Sequence, residues 1–327
     1  MIWPILAAAL VAADPIQATP PAPVTGSSPA PAAPPAPAPA PTPQPAAAPL
    51  NPPEVFSGPL IDLQPKYTEG EEIKYRWTQT GEDLHSGETI TEDLRKNTSS
   101  TELEFTLKIL RILPGPVYHC EMTFNRVVIE GPVFKGRERY DSKDPRTKNG
   151  FFANPAQILL TKPVEFGFAP DSYSYSRKEH PRLRAWNPDG TTFMDNTVGD
   201  QAFPARFGPL FGWYAPSAHL GEIWMDRCDI RINSGAAIST ERSMKLAKSD
   251  GVTLEIDITG KGLSAPESGS KKLKFRESTY EAHYLVNAAS NKVRSGNVTH
   301  IYTCDYIWKG KPASVTSTVK ETLERMD

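Results

Sequence analysis

Apolar and polar residues alternate along much of this chain from Gly70 onward. In GEEIKYRWTQ (Gly70–Gln79), Ile73, Tyr75 and Trp77 fall on one side and charged or polar residues on the other. A period of two with β-branched and aromatic residues predicts a strand with one buried face. The pattern continues through Leu103–Ile109 and, past the turn signal Pro114–Gly115, through Val117–Ile129. It returns in GEIWMDRCDIRI (Gly221–Ile232), Asp250–Leu263, Lys272–Tyr284 and Asn297–Trp308, with a turn signal at Asn287–Asn291. Val315, Val319 and Leu323 suit a helix stripe or alternate inward positions of a strand. The Thr/Val content and the preceding Lys309–Pro312 turn favour the strand.

Two of these segments look like echoes of earlier ones. GEIWMDRCDI and GEEIKYRWTQ both begin Gly-Glu, with Arg227 opposite Arg76, Trp224 opposite Ile73 and Cys228 opposite Trp77. DGVTLEIDITGKGL, from Asp250, resembles PGPVYHCEMTFNRV, from Pro114, in the same order along the chain. Paired matches in one order predict an internal duplication. The expected fold is mainly β: two related antiparallel curved-sheet, half-barrel-like units, 54–200 and 201–327, with few short helices. Between them, Asn154–Leu160 reads as a short helix with Asn154 as N-cap and Pro155 at its first position. Pro170–Ser172 and Asn187–Gly190 read as turns, and FPARFGPLFGWY (Phe203–Tyr214) as an aromatic link.

Composition changes the picture at the N-terminus. Residues 1–18 read as an export signal: Ile2–Ala13 is apolar but shorter than the roughly 20 residues a spanning helix needs. Val11/Ala13 and Ile16/Ala18 are candidate cleavage positions, although no Lys or Arg opens the segment. No cysteine follows it, which argues against a lipid anchor of the lipoprotein kind. The prolines concentrate in the Pro/Ala-rich stretch 19–53, which has no apolar bulk to bury and favours polyproline II. At about 3.1 Å per residue such a spacer reaches on the order of 100 Å. A formal net charge of −2 leaves no basic field to attract nucleic acid. The mature chain carries no expected transmembrane segment, and the expected location is periplasmic, cell-surface or secreted.

The layout resembles a group of exported bacterial β-rich proteins of unknown function. The likeness rests on Gly70–Trp77, on Tyr140-Asp141-Ser142 after the first long hairpin, and on Ala215-Pro216 leading into Gly221-Glu222-Ile223-Trp224. The second copy lacks the Tyr-Asp-Ser element. The resemblance implies a fold and a compartment, and it carries over no catalytic residue.

Candidate chemistry is sparse. The motifs of nucleophile elbows, zinc hydrolases, redox Cys pairs, P-loops and dinucleotide sites are absent. His119 and Cys120 are strand neighbours and point to opposite faces. His300 and Cys304 share a face, but lie roughly 13 Å apart along it, against ligand distances of about 2.0–2.3 Å at zinc. No metal or cofactor site is expected. Cys228 and Cys304 are the candidate disulfide, with Cys120 free. Arg177, Lys178, Arg182 and Arg184 form a basic run, with His180 among them, suited either to an anion or to a solvated loop. Phe203, Phe207, Phe211, Trp213 and Tyr214 either line an apolar ligand site or plug the junction of two sheets. Asp141 and Asp144 read as turn caps. Asp226 alone puts a charge on the inward side of its strand. These features favour a non-enzymatic binding or structural module for an apolar ligand or partner protein. The alternative is a secreted enzyme with dispersed site residues at the repeat junction.

Overall fold

The computed structural model describes residues 56, 58–115, 117–133, 136–170, 174–177, 198–199, 202–231, 237–264 and 273–326. The expected signal, the Pro/Ala spacer and the Asn187–Gly190 turn lie outside them. The alternating segments become β2 (Glu72–Gly87), β3 (Lys96–Leu113), β4 (Val117–Val133), β5 (Gly136–Asp141), β6 (Val164–Ala169) and β7 (Ser174–Arg177). After the link come β9 (Ile223–Arg231), β10 (Ala237–Ser249), β11 (Thr253–Ser264), β12 (Leu273–Asn287), β13 (Val293–Trp308) and β14 (Lys311–Met326). The short strands β1 (Ile61–Asp62) and β8 (Ser217–Ala218) pair with each other. The 315–323 stretch is a strand throughout, as its β-branched content predicts.

The twelve long and medium strands form one antiparallel sheet, in the order β7-β6-β4-β3-β2-β14-β13-β12-β11-β10-β9, with β5 also on β4. The meander β9 to β14 therefore runs directly into the meander β2 to β7. The seam is a continuous ladder from Ala313↔Gly87 to Met326↔Lys74. Tight turns hold the long hairpins together: Lys309 (φ 49°) and Gly310 (φ 76°) close β13 onto β14, the two-residue left-handed geometry that matches strand twist. Register shifts at Ser239/Thr240, Leu246/Lys248, Phe275/Glu277 and Glu104/Phe105 bend the strands and strengthen the coil.

The sheet curls around its apolar face without closing into a barrel. The helix Phe203–Phe207 lies against both edge strands, β7 and β9. It continues as a 3-10 turn, Gly208–Phe211, along the inside. Phe203, Phe207 and Phe211 are wholly buried there, among Trp77, Phe105, Phe166 and Phe168. An intrachain segment thus fills one end of the concavity.

The helix near the first unit starts differently from the sequence expectation. It spans Ala153–Thr161 with Phe152 at the cap, so Asn154 is inside the first turn. Glu138 Oε1 accepts the Phe152 N–H at 3.1 Å, doing from β5 what an N-cap side chain would do locally.

Candidate functional site

Strand register builds the middle of the concave face. One transverse row runs Asp226↔Arg242↔Gly260↔Tyr280↔His300↔Val319↔Gly81↔Ser99. On the plugged side lies an apolar row through Leu246, Ile256, Tyr284, Leu323, Trp77 and Leu103. On the other side a second apolar cluster holds Ile238, Tyr302, Cys304, Tyr306 and Val315. The face is therefore zoned: aromatic plug, polar belt, smaller apolar shelf.

The belt's charges are internally matched. Arg242, with no exposed surface, donates Nε to Asp226 Oδ1 at 2.9 Å and Nη2 to Oδ2 at 2.5 Å, and its guanidinium stands 5.8 Å from the Tyr280 ring. A planar bidentate pair is the form in which these charges tolerate burial. Gly260 makes room for it, since a Cβ there would meet Arg242 Cγ at 3.1 Å. At the plug, Arg206 Nε reaches Glu321 Oε1 at 3.4 Å and its guanidinium stacks 4.7 Å over Trp77. Gln79 Nε2 donates to the same carboxylate at 2.9 Å, tying the plug to the β2–β14 seam.

Other polar groups on this face lack partners. His300 lies between Tyr280 and Tyr302, at ring distances of 6.0 and 5.3 Å, and burial lowers its pKa to about 4. It is neutral at pH 7. Its Nε2, Ser278 Oγ and Thr101 Oγ1 are buried without a hydrogen-bond partner among the described residues. His85 Nδ1 meets the Tyr306 hydroxyl at 2.8 Å, while its Nε2 has none. Nearby, Ser317 Oγ donates to Asp83 Oδ1 at 2.6 Å. Burial pushes the thiols of Cys228 and Cys304 up to about 11, which keeps them protonated and poorly nucleophilic. Among the described residues no three His, Cys, Asp or Glu side chains converge as metal ligands.

The sequence-predicted residues fare unevenly. Phe203, Phe207, Phe211 and Trp213 are core, and only Tyr214 is exposed, beside a pocket of about 190 Å³ shared with Gln64, Pro170 and Pro216. Of the basic run, Arg177 ends β7, and Lys178, Arg182 and Arg184 lie outside the described residues. The expected Cys228–Cys304 disulfide is not formed: all three cysteines are free and buried. Three strands lie between β9 and β13 in the sheet order, which makes four steps or about 19 Å across the sheet at 4.8 Å per step, whereas bridged Cα atoms lie about 4.4–6.8 Å apart. His119 faces outward and Cys120 inward. Asp141 pairs with Arg126 at 2.6 Å and accepts the Lys143 N–H, and Ser142 Oγ accepts the Val127 N–H. Asp144 caps Arg146 N. The Tyr-Asp-Ser element is thus a turn clasp.

Sequence reasoning missed Arg242, Ser278 and His300 as site residues. Their signal was present, as polar residues at inward positions of alternating strands. It also missed a cleft of about 780 Å³ lined by Tyr140, Lys148, Asn149, Phe151, Asn154 and Gln157, among others. Its walls come from a turn and a helix whose approach depends on tertiary packing.

No family model matches this chain, and no curated protein matches it. Solved structures that this chain matches include lipovitellin, from a study of its lipid–protein interactions, at 11% identity and a TM-score of 0.43. That match covers 80% of this chain and 25% of lipovitellin, so the chain spans about a quarter of that protein's length. DynF from the dynemicin biosynthesis pathway of Micromonospora chersina matches at 7% identity and a TM-score of 0.23, covering 85% of this chain and 92% of that one. An outer membrane channel from Pseudomonas putida F1 matches at 6% identity and a TM-score of 0.23, covering 85% of this chain and all of the other. Among the described residues no helix is long and apolar enough to cross a membrane.

Proposed function

We propose that this chain is an exported, non-enzymatic binding module of the cell envelope that holds an apolar-bodied ligand on the concave face of its open sheet. The observation that carries the reading is the set of polar atoms there without a partner among the described residues: His300 Nε2, Ser278 Oγ, His85 Nε2 and Thr101 Oγ1. A buried polar group without a partner costs about 1–3 kcal/mol, and several on one face call for a compensating occupant. A ligand with an apolar body on the Ile238–Val315 shelf and a polar group at the belt supplies both kinds of contact. Export and the reach of the spacer rest on residues 1–53 of the sequence. An enzymatic reading has less support, because the belt's carboxylates are already engaged, Asp226 by Arg242 and Glu321 by Arg206.

The test is titration of the full mature chain with cis-parinaric acid, a fluorescent long-chain probe, together with mass spectrometry of solvent extracts of freshly purified protein. Saturable binding near one per chain, weakened about tenfold in Ser278→Phe, is expected. Absence of both saturable binding and extracted lipid would overturn the reading.

A further inference from the structure

A second concavity is independent of the concave face. The cleft of about 780 Å³ lies where the turn after β5 meets the helix Ala153–Thr161, and falls within the range of small-molecule sites. Its polar lining is unusual in sign. Lys148, Asn149, Asn154 and Gln157 face it along with Tyr140, and among the described residues no Asp or Glu does. The neighbouring acids are used elsewhere. Asp144 is bound by Arg146 at 2.8 Å, and Asp141 by Arg126. Glu138 sits behind the wall, accepting the Phe152 N–H. It is so close under the turn that a Cβ at Gly150 would overlap its carboxylate. Lys148 forms no ion pair and the Asn149 and Gln157 amides form no hydrogen bond among the described residues. One cation and two open amides are therefore presented to whatever enters. Phe151, 44% exposed and braced edge-on by Phe152 at 5.4 Å, supplies a flat apolar wall.

We propose that this cleft binds a carboxylate-bearing sugar unit, as in an acidic glycan. Side-chain amides match adjacent hydroxyls as paired donor and acceptor. An aromatic face covers the C–H side of a sugar ring, and a lysine with no acid beside it among the described lining residues favours a carboxylate over a neutral or cationic group. A purely apolar ligand would leave these polar groups desolvated, and a cationic one would meet Lys148.

The probe is trigalacturonate, titrated calorimetrically against the full mature chain, with the neutral galactose trimer as its counterpart. Saturable binding of the acidic trimer is expected, with the neutral trimer about tenfold weaker. Lys148→Ala should remove that preference, Gln157→Ala should weaken both trimers, and Phe151→Ala should weaken both most. Unchanged melting temperatures would show that the variants remain folded. The proposal is overturned by no saturable binding up to about 10 mM, by binding that ignores Lys148→Ala and Gln157→Ala, or by hexaglutamate binding equally well through the same residues. Because the cis-parinaric acid titration reads the concave face, either result stands without the other.

Discussion

The aromatic plug and the polar belt of the concave face solve the same burial problem by different means. At the plugged end, Phe203, Phe207 and Phe211 fill the curl of the sheet with rings that need no partner beyond contact. In the belt, Arg242, His300 and Ser278 are buried as deeply, yet of the three only Arg242 is hydrogen-bonded through its side chain among the described residues, to Asp226. Apolar burial is satisfied by shape, whereas polar burial must also be satisfied atom by atom. A chain can therefore finish one zone of such a sheet with its own aromatic segment and leave the next chemically incomplete.

Breaking the finished end should have the largest effect. Phe207→Ala removes a ring packed against Trp77, Phe105 and Phe203, and should cost about 3–5 kcal/mol by denaturant unfolding. A loss below about 1 kcal/mol would mean that the 203–211 segment is only loosely seated. In the belt, Asp226→Leu strands the Arg242 charge and should cost about 3–4 kcal/mol. Adding Arg242→Met should recover most of that loss, because it removes the stranded charge. If the double variant is no better than the single, the pair does more for the fold than cancel itself.

A smaller effect separates belt from plug by pH. His300 has a folded pKa of about 4, below its ordinary 6.5. Between those values the unfolded chain binds the proton and the folded chain does not. Stability from the neutral buried ring is thus full above about pH 6.5 and is lost as pH falls towards 4. The loss is about 3 kcal/mol by linkage. His300→Leu should flatten this part of the stability curve, and an unchanged slope would place the titration elsewhere.

How much of this was legible in the sequence follows from the same contrast. Alternation is local, so the strands, their inward residues and even Asp226 as the odd inward charge could be read from GEIWMDRCDIRI and its kin. The aromatic run was legible as a plug or a pocket, and the structure makes Phe203, Phe207, Phe211 and Trp213 a plug. Pairings across strands were not legible. That Arg242 stands opposite Asp226, and that Cys228 and Cys304 lie three intervening strands apart, depends on sheet order. Sheet order is fixed by contacts remote in sequence. The cap of the Ala153–Thr161 helix went astray for the same reason, since its acceptor comes from Glu138 on β5.

The smallest change is the sharpest comparison. Ser278 Oγ is buried over Gly262, with Phe275 and Ile238 beside it and no acceptor in reach among the described residues. Removing that oxygen from a finished core would destabilise by losing a hydrogen bond; here there is none to lose. Ser278→Ala should therefore leave the ligand-free melting temperature unchanged or slightly higher, within about 1 kcal/mol. With cis-parinaric acid bound, the same variant should lose part of the stabilisation that ligand gives the wild type, because the hydroxyl then has a partner to forfeit. A variant destabilised by more than that without ligand would show that the hydroxyl is already satisfied, and the belt would then be as complete as the plug.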